Sequence, residues 1–302
     1  MNNYIKITGA ISLSVMLLSC GSGTDSFEKK AAVDSSALKP VQVQISEQTL
    51  NDLLQSIPSP IEMSSLLKES GAKFDNTIIN PSEHVDKYLT GYSKALNIGV
   101  YSADLGYLNI YEKSFATLDY LSSIKNLADG INIGQFFDFE LLKKLASNNN
   151  NMDSILYIST SNFNKMDSYL REKKRGELSV LIISGAWIEG LYISTQIAKS
   201  KDTPEIEERI GEQKLTIDNL MVILDAYKGT EYFGKLHTQF EKLKTIYDTV
   251  KIEYEYHEPE SKEVNGKLVV VNQSKSKVIM TTEQLKSIIS TTSEIRNQLI
   301  SE

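Results

Sequence analysis

The chain has 302 residues, of which 41% are hydrophobic and 24% are charged, and its formal net charge is -7. This composition is ordinary for a soluble globular protein, and the length is enough to bury a core in one large domain or two small ones. Because the net charge is negative, no basic surface favours nucleic acid, and we expect no nucleic-acid partner.

The N-terminus has the pattern of a secretory signal peptide. Lys6 precedes the apolar stretch ITGAISLSVMLLS, which is too short for a stable membrane span. The stretch ends in Leu17-Leu18-Ser19-Cys20, and Cys20 is the only cysteine of the chain. We therefore interpret residues 1–19 as a signal peptide. An ordinary secretory signal followed by an accidental cysteine is the alternative.

Leu17-Leu18-Ser19-Cys20 resembles the lipobox of bacterial lipoproteins. The resemblance implies cleavage before Cys20, acylation of Cys20 with chains such as palmitate, and attachment of the protein to a membrane through this lipid. Gly21 follows the cysteine, whereas an Asp there would resemble the inner-membrane retention signal. We therefore expect the outer membrane rather than the inner one, with the periplasmic and surface-exposed faces both open.

A flexible tether is predicted for residues 20–45. Its sequence is small, polar and without hydrophobic periodicity, so it cannot bury enough surface to offset its ordering entropy. A helical domain is predicted for residues 46–302. Ser46 is a good N-cap for a first helix that ends before Pro58, and a second short helix ends at Gly71.

The next helix start has a strong local signal. Asn80-Pro81-Ser82-Glu83 combines a capping residue, a proline at the first helical position and a glutamate two positions further on. The pattern predicts a helix from 81 towards 110, bent near Gly91 or Gly99.

Three further helices are predicted before the most apolar part of the chain. The first covers 112–129 and stops at Gly130, and the second is a brief one around 138–146. The third runs from Asp153 to Arg175, where cations and a following glycine give a typical C-terminus.

Residues 178–198, LSVLIISGAWIEGLYISTQIA, are apolar on nearly every side, which is typical of a helix buried among other helices. The small residues Gly185 and Ala186 allow a neighbouring backbone to come close. A transmembrane span is the alternative, since about 20 apolar residues cross a bilayer. Glu189 lies at the midpoint, where a charge in lipid is costly, so we favour the central-helix interpretation.

The C-terminal third combines helices with a β-rich insertion. Pro204 begins a helix to about Tyr227, another reaches about Val250, and a final helix follows the capping-box sequence Thr281-Thr282-Glu283-Gln284. Residues at about 251–281 alternate as in strands. The sequence thus predicts an all-α fold, a helical bundle of about eight helices with a small C-terminal β-hairpin appendage.

Two carboxylates in apolar helices suggest a possible ligand pocket. On the helix from 81 to 110, five polar or aromatic residues share one face: Asn97, Tyr101, Asp104, Tyr107 and Tyr111. If that face meets the central helix, the pocket is lined by Tyr101, Asp104, Trp187, Glu189 and Tyr192, where a carboxylate pair binds a ligand or shares a proton. In the alternative, tyrosine hydroxyls, backbone donors or a lysine satisfy both carboxylates, which then only orient the packing.

Sequence motifs of catalysis are absent. The chain has no Gly-x-Ser-x-Gly, no His-Glu-x-x-His and no phosphate-binding glycine loop, and lipidation of Cys20 excludes a thiol nucleophile. His237 and Glu241 have the i, i+4 spacing of metal ligands, but an exposed helix pair is the favoured interpretation. We expect no catalytic residue, no metal and no cofactor.

Residues from about 57 to 200, including IPSPIEMSSLLKESGA, NPSEHVDKYLT, KALNIGVYSADLGY and SGAWIEGLYISTQIA, resemble an uncharacterised family of helical bacterial lipoproteins. This resemblance implies a helical lipoprotein and no activity. The chain is also similar to imelysin-like periplasmic proteins, which are helical bundles with a Gly-x-His-x-x-Glu motif. The matching residues are Gly99, Tyr101 and Asp104; because both functional positions differ, no activity is carried over.

The function expected from the sequence is that of a membrane-anchored lipoprotein of the cell envelope. We expect a non-catalytic binding or scaffold protein whose protein or small-molecule partner the sequence does not name. The alternative is a small-ligand-binding or acid-base site in the helical core around Asp104 and Glu189.

Overall fold

Eight α-helices and four short strands form most of the regular structure in the residues that the computed structural model describes. These residues are 48–49, 52–53, 71–146, 152–201, 204–257, 260–264, 267–271 and 275–301. The predicted signal peptide, Cys20, the tether and nearly all of the first two predicted helices lie outside them.

The helices pack into one bundle, and the strands follow its seventh helix. In chain order the helices are α1 (Gly91–Ile110), α2 (Ser114–Gly130), α3 (Phe139–Ala146), α4 (Met152–Glu172), α5 (Gly176–Ser200), α6 (Pro204–Tyr227), α7 (Glu231–Asp248) and α8 (Thr282–Leu299). The strands are β1 (Lys251–Glu255), β2 (Glu260–Val264), β3 (Lys267–Val271) and β4 (Lys275–Ile279). The predicted all-α fold with a small C-terminal β-hairpin is confirmed.

The β appendage consists of two antiparallel strand pairs, β1 with β4 and β2 with β3. Because the second pair is nested inside the first, the order is that of one long hairpin. In the outer pair Ile252 lies opposite Val278, and Glu253 lies opposite Lys277. Opposite charges facing each other across a ladder stabilise this register. A side chain at Gly211 of α6 would clash with Val278, so this strand packs directly on the bundle.

Helix α1 begins later than its sequence predicts. Residues Ser82–Lys87 form a 3-10 helix, and α1 starts at Gly91 behind the N-cap Thr90. Thr90 and Ser93 make a reciprocal capping box, whereas Pro81 at the head of the 3-10 helix makes no side-chain cap. A helix thus begins next to Asn80-Pro81, but the predicted α-helix from 81 is wrong. The Asn80 side chain does not cap a helix, because it is hydrogen-bonded to Tyr88 and His84 instead.

The turn between α4 and α5 also differs from its prediction. The left-handed residue that ends α4 is Lys174, with a φ of 57°, and not Gly176, which opens α5. The Arg175 amide donates to the Leu170 carbonyl at 2.7 Å and completes the reversal. A non-glycine residue pays a small steric cost for this conformation, which the hydrogen-bonded turn offsets.

Helix α5 is the centre of the bundle, as the sequence predicts. By length and composition Gly176–Ser200 could cross a membrane, yet 89% of its most apolar window is buried inside the protein. Neighbouring helices therefore cover the apolar surface that suggested a membrane span. Its most extensive packing is against α1.

Candidate functional site

The backbones of α1 and α5 touch where both helices carry a glycine. A Cβ on Gly99 would overlap the Ile182 carbonyl oxygen, and a Cβ on Gly185 would overlap the Leu96 carbonyl oxygen. Glycine is therefore required at both positions for steric reasons. One turn or more beyond these glycines, each helix carries a buried carboxyl: Asp104 on α1 and Glu189 on α5.

Glu189 of α5 forms a buried ion pair with Arg296 of α8. Arg296 Nε donates to Glu189 Oε2 at 2.8 Å and Arg296 Nη2 donates to Glu189 Oε1 at 2.7 Å, so the pair is bidentate. The Glu189 side chain is 0% exposed and that of Arg296 is 6% exposed. Such planar two-bond pairing is the geometry in which arginine differs from lysine.

Three other groups contact the Arg296 guanidinium, and one of them is Asn297 Oδ1, which accepts from Nη1 at 3.3 Å. Arg296 Nη2 also donates to the Ile78 carbonyl at 3.3 Å, and the central carbon of the guanidinium lies 4.4 Å from the centroid of the Tyr192 ring. Burial acts to lower the pKa of Arg296, but the charge and hydrogen bonds of Glu189 outweigh it and raise the pKa above its ordinary value. Arg296 is therefore a permanent cation in the core.

Asp104 of α1 is the second buried carboxyl of this cluster. Its Oδ2 accepts a hydrogen bond from the Asn80 amide at 3.2 Å, while its Oδ1 has no hydrogen-bond donor within the described part of the chain. The Asp104 carboxyl lies within hydrogen-bonding reach of Glu189. Burial raises the pKa of Asp104 well above its ordinary value and the charge of Glu189 raises it further, against the opposing effect of Arg296.

A five-residue segment, which we call the strap (residues 78–82), lies against this cluster. Its backbone is bonded to side chains of three helices. The donors and acceptors are Arg296 to the Ile78 carbonyl, the Asn80 amide to Asp104, Tyr120 to the Asn80 carbonyl, Tyr101 to the Pro81 carbonyl and Ser123 to the Ser82 carbonyl. The strap therefore joins α1, α2 and α8 through polar contacts, in addition to the apolar packing of the buried Ile78 and Ile79 side chains.

Asn80 is the centre of the strap and is completely buried. Its side-chain amide donates to the Tyr88 hydroxyl at 2.9 Å, and its side-chain oxygen lies 3.0 Å from His84 Nδ1. The Tyr88 hydroxyl in turn donates to the Ile300 carbonyl at 3.2 Å, just after α8. Burial lowers the pKa of His84, so a neutral ring donates to Asn80 at neutral pH.

Two tyrosines at the C-terminal end of α1, Tyr107 and the capping residue Tyr111, are hydrogen-bonded to the segment that precedes the helix. The Tyr111 hydroxyl donates to the Ala72 carbonyl at 2.9 Å, and the Tyr107 hydroxyl accepts from the Asp75 amide at 3.0 Å. Burial raises the pKa of Tyr107 to about 12, and that of Tyr101 further still. The hydroxyls of all three tyrosines are therefore hydrogen-bonded to backbone groups.

The structure brings together four of the five predicted pocket residues. Asp104, Glu189 and Tyr192 lie around Arg296. The Tyr101 hydroxyl donates to the Pro81 carbonyl of the strap, next to the Asn80 amide that binds Asp104. Trp187 does not join them. It precedes Glu189 by two positions on α5, and side chains two positions apart on a helix point to nearly opposite sides. Its indole N–H donates to Gln213 of α6 at 2.9 Å, and its ring packs against Phe240 of α7.

Two central residues of the cluster are absent from the sequence-based prediction. The signal for Arg296 is its place on the inner face of α8, where it follows Leu285, Ile288 and Thr292 at helical spacing. A cation on a buried face indicates a buried carboxylate partner, and Glu189 is the matching residue. Asn80 carries no comparable signal, because a sequence that favours a helix cap does not show that the side chain bonds instead to Tyr88 and His84.

Metal binding finds no support in the described ranges, where no group of three or more His, Cys, Asp or Glu side chains is placed to hold an ion. His237, which has the i, i+4 spacing with Glu241, instead points Nε2 at Asp225 Oδ1, 3.5 Å away.

Comparison with known proteins gives no relative: no model of a known protein family matches the chain, and neither does any curated protein or solved structure. The resemblances drawn from sequence motifs therefore stay predictions.

Proposed function

We propose that this protein is a lipid-anchored lipoprotein of the cell envelope and that its helical domain is a non-catalytic binding or scaffold module. The observation that carries the proposal is the single cysteine, Cys20, directly after the apolar signal region at Leu17-Leu18-Ser19. The outer membrane is the proposed location, because Gly21 rather than Asp follows the cysteine.

The geometry of the core supports the non-catalytic part of the proposal. A general base or nucleophile needs a free oxygen that a substrate can reach. Glu189 has both oxygens bonded to Arg296 and no exposed surface. Asp104 is equally buried. These carboxyls are better suited to joining helices than to meeting a substrate.

The competing hypothesis is a small-ligand or acid-base site around Asp104 and Glu189. The Asp104 oxygen without a donor is the observation in its favour. Against it, Asp104 is 0% exposed, so a ligand could reach this oxygen only if the residues that cover it moved. We therefore rank it second.

The lipid anchor is tested with Cys20→Ser in a bacterial host fed labelled palmitate. We expect the full chain to carry label and to sediment with the outer membrane, and the variant to do neither. Ser26→Ala, in the predicted tether, is the matched control and should behave as the unmodified chain. Label that persists in Cys20→Ser would refute the anchor.

The location has its own variant, Gly21→Asp. If the sorting rule applies, this chain keeps its lipid but moves from the outer-membrane fraction to the inner-membrane fraction. An unchanged distribution would remove the argument for the outer membrane and leave the anchor itself intact.

The second-ranked hypothesis is tested by a thermal-shift screen of small envelope metabolites against the unmodified full chain and the Glu189→Leu/Arg296→Met double variant. A compound that raises the melting temperature of the first and not of the second would place a ligand at this cluster. Such a hit would overturn the assignment of a purely structural role.

A further inference from the structure

The charged groups of the core do not balance unless one carboxyl is neutral. Two carboxyls, Asp104 and Glu189, face a single cation, Arg296, and the exposed fraction of both carboxyls is 0%. A second negative charge without a partner is strongly unfavourable in such a site, because no water solvates it there. Folded proteins avoid this cost by taking up a proton.

The hydrogen bonds of the two carboxyls indicate that Asp104 is the neutral one. Glu189 accepts two charge-assisted bonds from Arg296. Asp104 accepts one bond from the Asn80 amide, and its other oxygen has no N–H or O–H donor in the described part of the chain. Two carboxyls within hydrogen-bonding reach attract each other only when a proton lies between them. A proton on Asp104 makes its carboxyl a donor to Glu189.

We propose that Asp104 and Glu189 share one proton in the folded protein and that this proton holds together the junction of α1, α5, α8 and the strap. Its loss places two negative charges against one guanidinium where water cannot screen them. The junction then loosens, because Arg296 is drawn towards both carboxylates and away from the Ile78 carbonyl. The proton is thus a structural component of the core and a pH-sensitive one.

Other titratable groups around Asp104 do not supply the missing positive charge. They are tyrosines held neutral by burial, and a histidine held neutral by burial that contacts Asp104 only through Asn80. The groups are Tyr101 of α1, Tyr120 of α2, Tyr192 of α5, and Tyr88 and His84 of the segment before α1. Arg296 is therefore the one cation of the described cluster.

The sign of the pH dependence follows from the proton count. The pKa of Asp104 is raised above its ordinary value of 3.8 in the folded protein, so the folded state keeps a proton that the unfolded chain releases. The stability linked to this proton is complete below pH 3.8 and is lost progressively as the pH rises towards the raised pKa. The Asp104→Asn variant has no titrating group at this position, so its stability does not include this pH-dependent contribution.

The direct test is the infrared band of a protonated carboxylic acid in the full chain, purified in detergent at pH 7. We expect the unmodified chain to show the band and Asp104→Asn to lose it. Glu177→Gln is the matched control, because in the described part of the chain Glu177 is also a buried carboxyl whose pKa burial raises. The Asp104 band should survive in it. A chain without the band, or a band lost only in Glu177→Gln, would overturn the proposal.

Glu189→Gln separates a shared proton from one held by burial alone. Without the Glu189 charge, Arg296 becomes the unopposed cation next to Asp104, and Asp104 should ionise although it is unaltered. We therefore expect this variant to lose the band as well. A band that persists would show that Asp104 is neutral by desolvation alone, and the sharing would be refuted.

A pH series of melting temperatures provides the second readout and does not depend on spectroscopic assignment. The melting temperature of the unmodified chain relative to Asp104→Asn should fall as the pH rises above 3.8. Asp119→Asn, an exposed carboxyl of α2, should show no such trend. A difference that stays constant or grows with pH would contradict the proposal.

Discussion

The interface between α1 and α5 has two neighbouring parts that hold together in different ways. Around Gly99 and Gly185 the backbones touch, and the contact depends on the absence of side chains. Further along both helices, Asp104, Glu189 and Arg296 form a buried polar cluster that depends on charge balance. The first part tolerates no added volume, whereas the second tolerates no unbalanced charge.

The comparison teaches that a core position can be restrictive for opposite reasons. At the glycine contact the two backbones already touch, so a change that adds atoms is costly. At the charged cluster, removal of one partner is costly, yet removal of the whole pair is cheap, because a buried ion pair gains little beyond its desolvation cost. Single and double substitutions therefore distinguish the two parts.

The largest effect is expected for Arg296→Met. It leaves Glu189 buried without its cation, and we expect the free energy of unfolding to fall by about 3–5 kcal/mol. The double variant Glu189→Leu/Arg296→Met should recover most of this loss, because apolar residues of similar volume replace both charges. Chemical denaturation of the full chain measures both.

Lys125→Met is the control for loss of a cation without burial. Lys125 pairs with Asp129 at 2.6 Å on the surface of α2, where their side chains are 52% and 53% exposed. Its effect should stay below about 1 kcal/mol. If Arg296→Met cost no more than this control, the charge balance of the core would not be what holds the cluster.

The second effect in size is that of Gly185→Ala. The added methyl would overlap the Leu96 carbonyl oxygen, a backbone atom that cannot move without shifting α1. We expect a loss of about 3 kcal/mol, the upper end of the usual cost of overpacking. No second substitution on α1 should rescue it, since the clash is with backbone. This absence of rescue separates the glycine contact from the charged cluster.

Gly229→Ala is the matched control, since a Cβ at Gly229 meets no atom within 4 Å. Its free energy of unfolding should change by less than about 0.5 kcal/mol. Equal effects at the two glycines would mean that α1 and α5 do not touch as described.

The two parts also differ in how far the sequence predicts them. The small residues and the carboxylate of α5 are adjacent in the chain, so their pattern alone predicts a central helix with a close neighbour. The partner of Glu189 lies 107 residues further on, in the last helix. A local pattern contains no information about which buried cation meets which carboxylate, and the prediction offered tyrosine, backbone or lysine instead of Arg296.

Capping signals show the same division. Thr281 and Gln284 form the capping box that their sequence predicts, because the box needs only residues within one turn. Asn80 has an equally good local signal, but its side chain is hydrogen-bonded to Tyr88 and His84 and its amide to Asp104, and only a short 3-10 helix, Ser82–Lys87, follows it. A capping signal is therefore reliable only where no residue outside that helical turn competes for the same atoms.

The smallest of the three effects concerns the rim of the charged cluster, at Tyr120→Phe. The substitution removes the hydroxyl that donates to the buried Asn80 carbonyl at 2.7 Å and keeps the ring. We expect a loss of about 1 kcal/mol, the usual net value of one hydrogen bond. Tyr111→Phe is the matched control, because its hydroxyl donates to the Ala72 carbonyl at a less buried place where water can replace it. Its loss should therefore be smaller. If Tyr111→Phe cost as much as Tyr120→Phe, the strap would be no more protected from water than the segment before it, and the polar cluster would not extend beyond Asp104, Glu189 and Arg296.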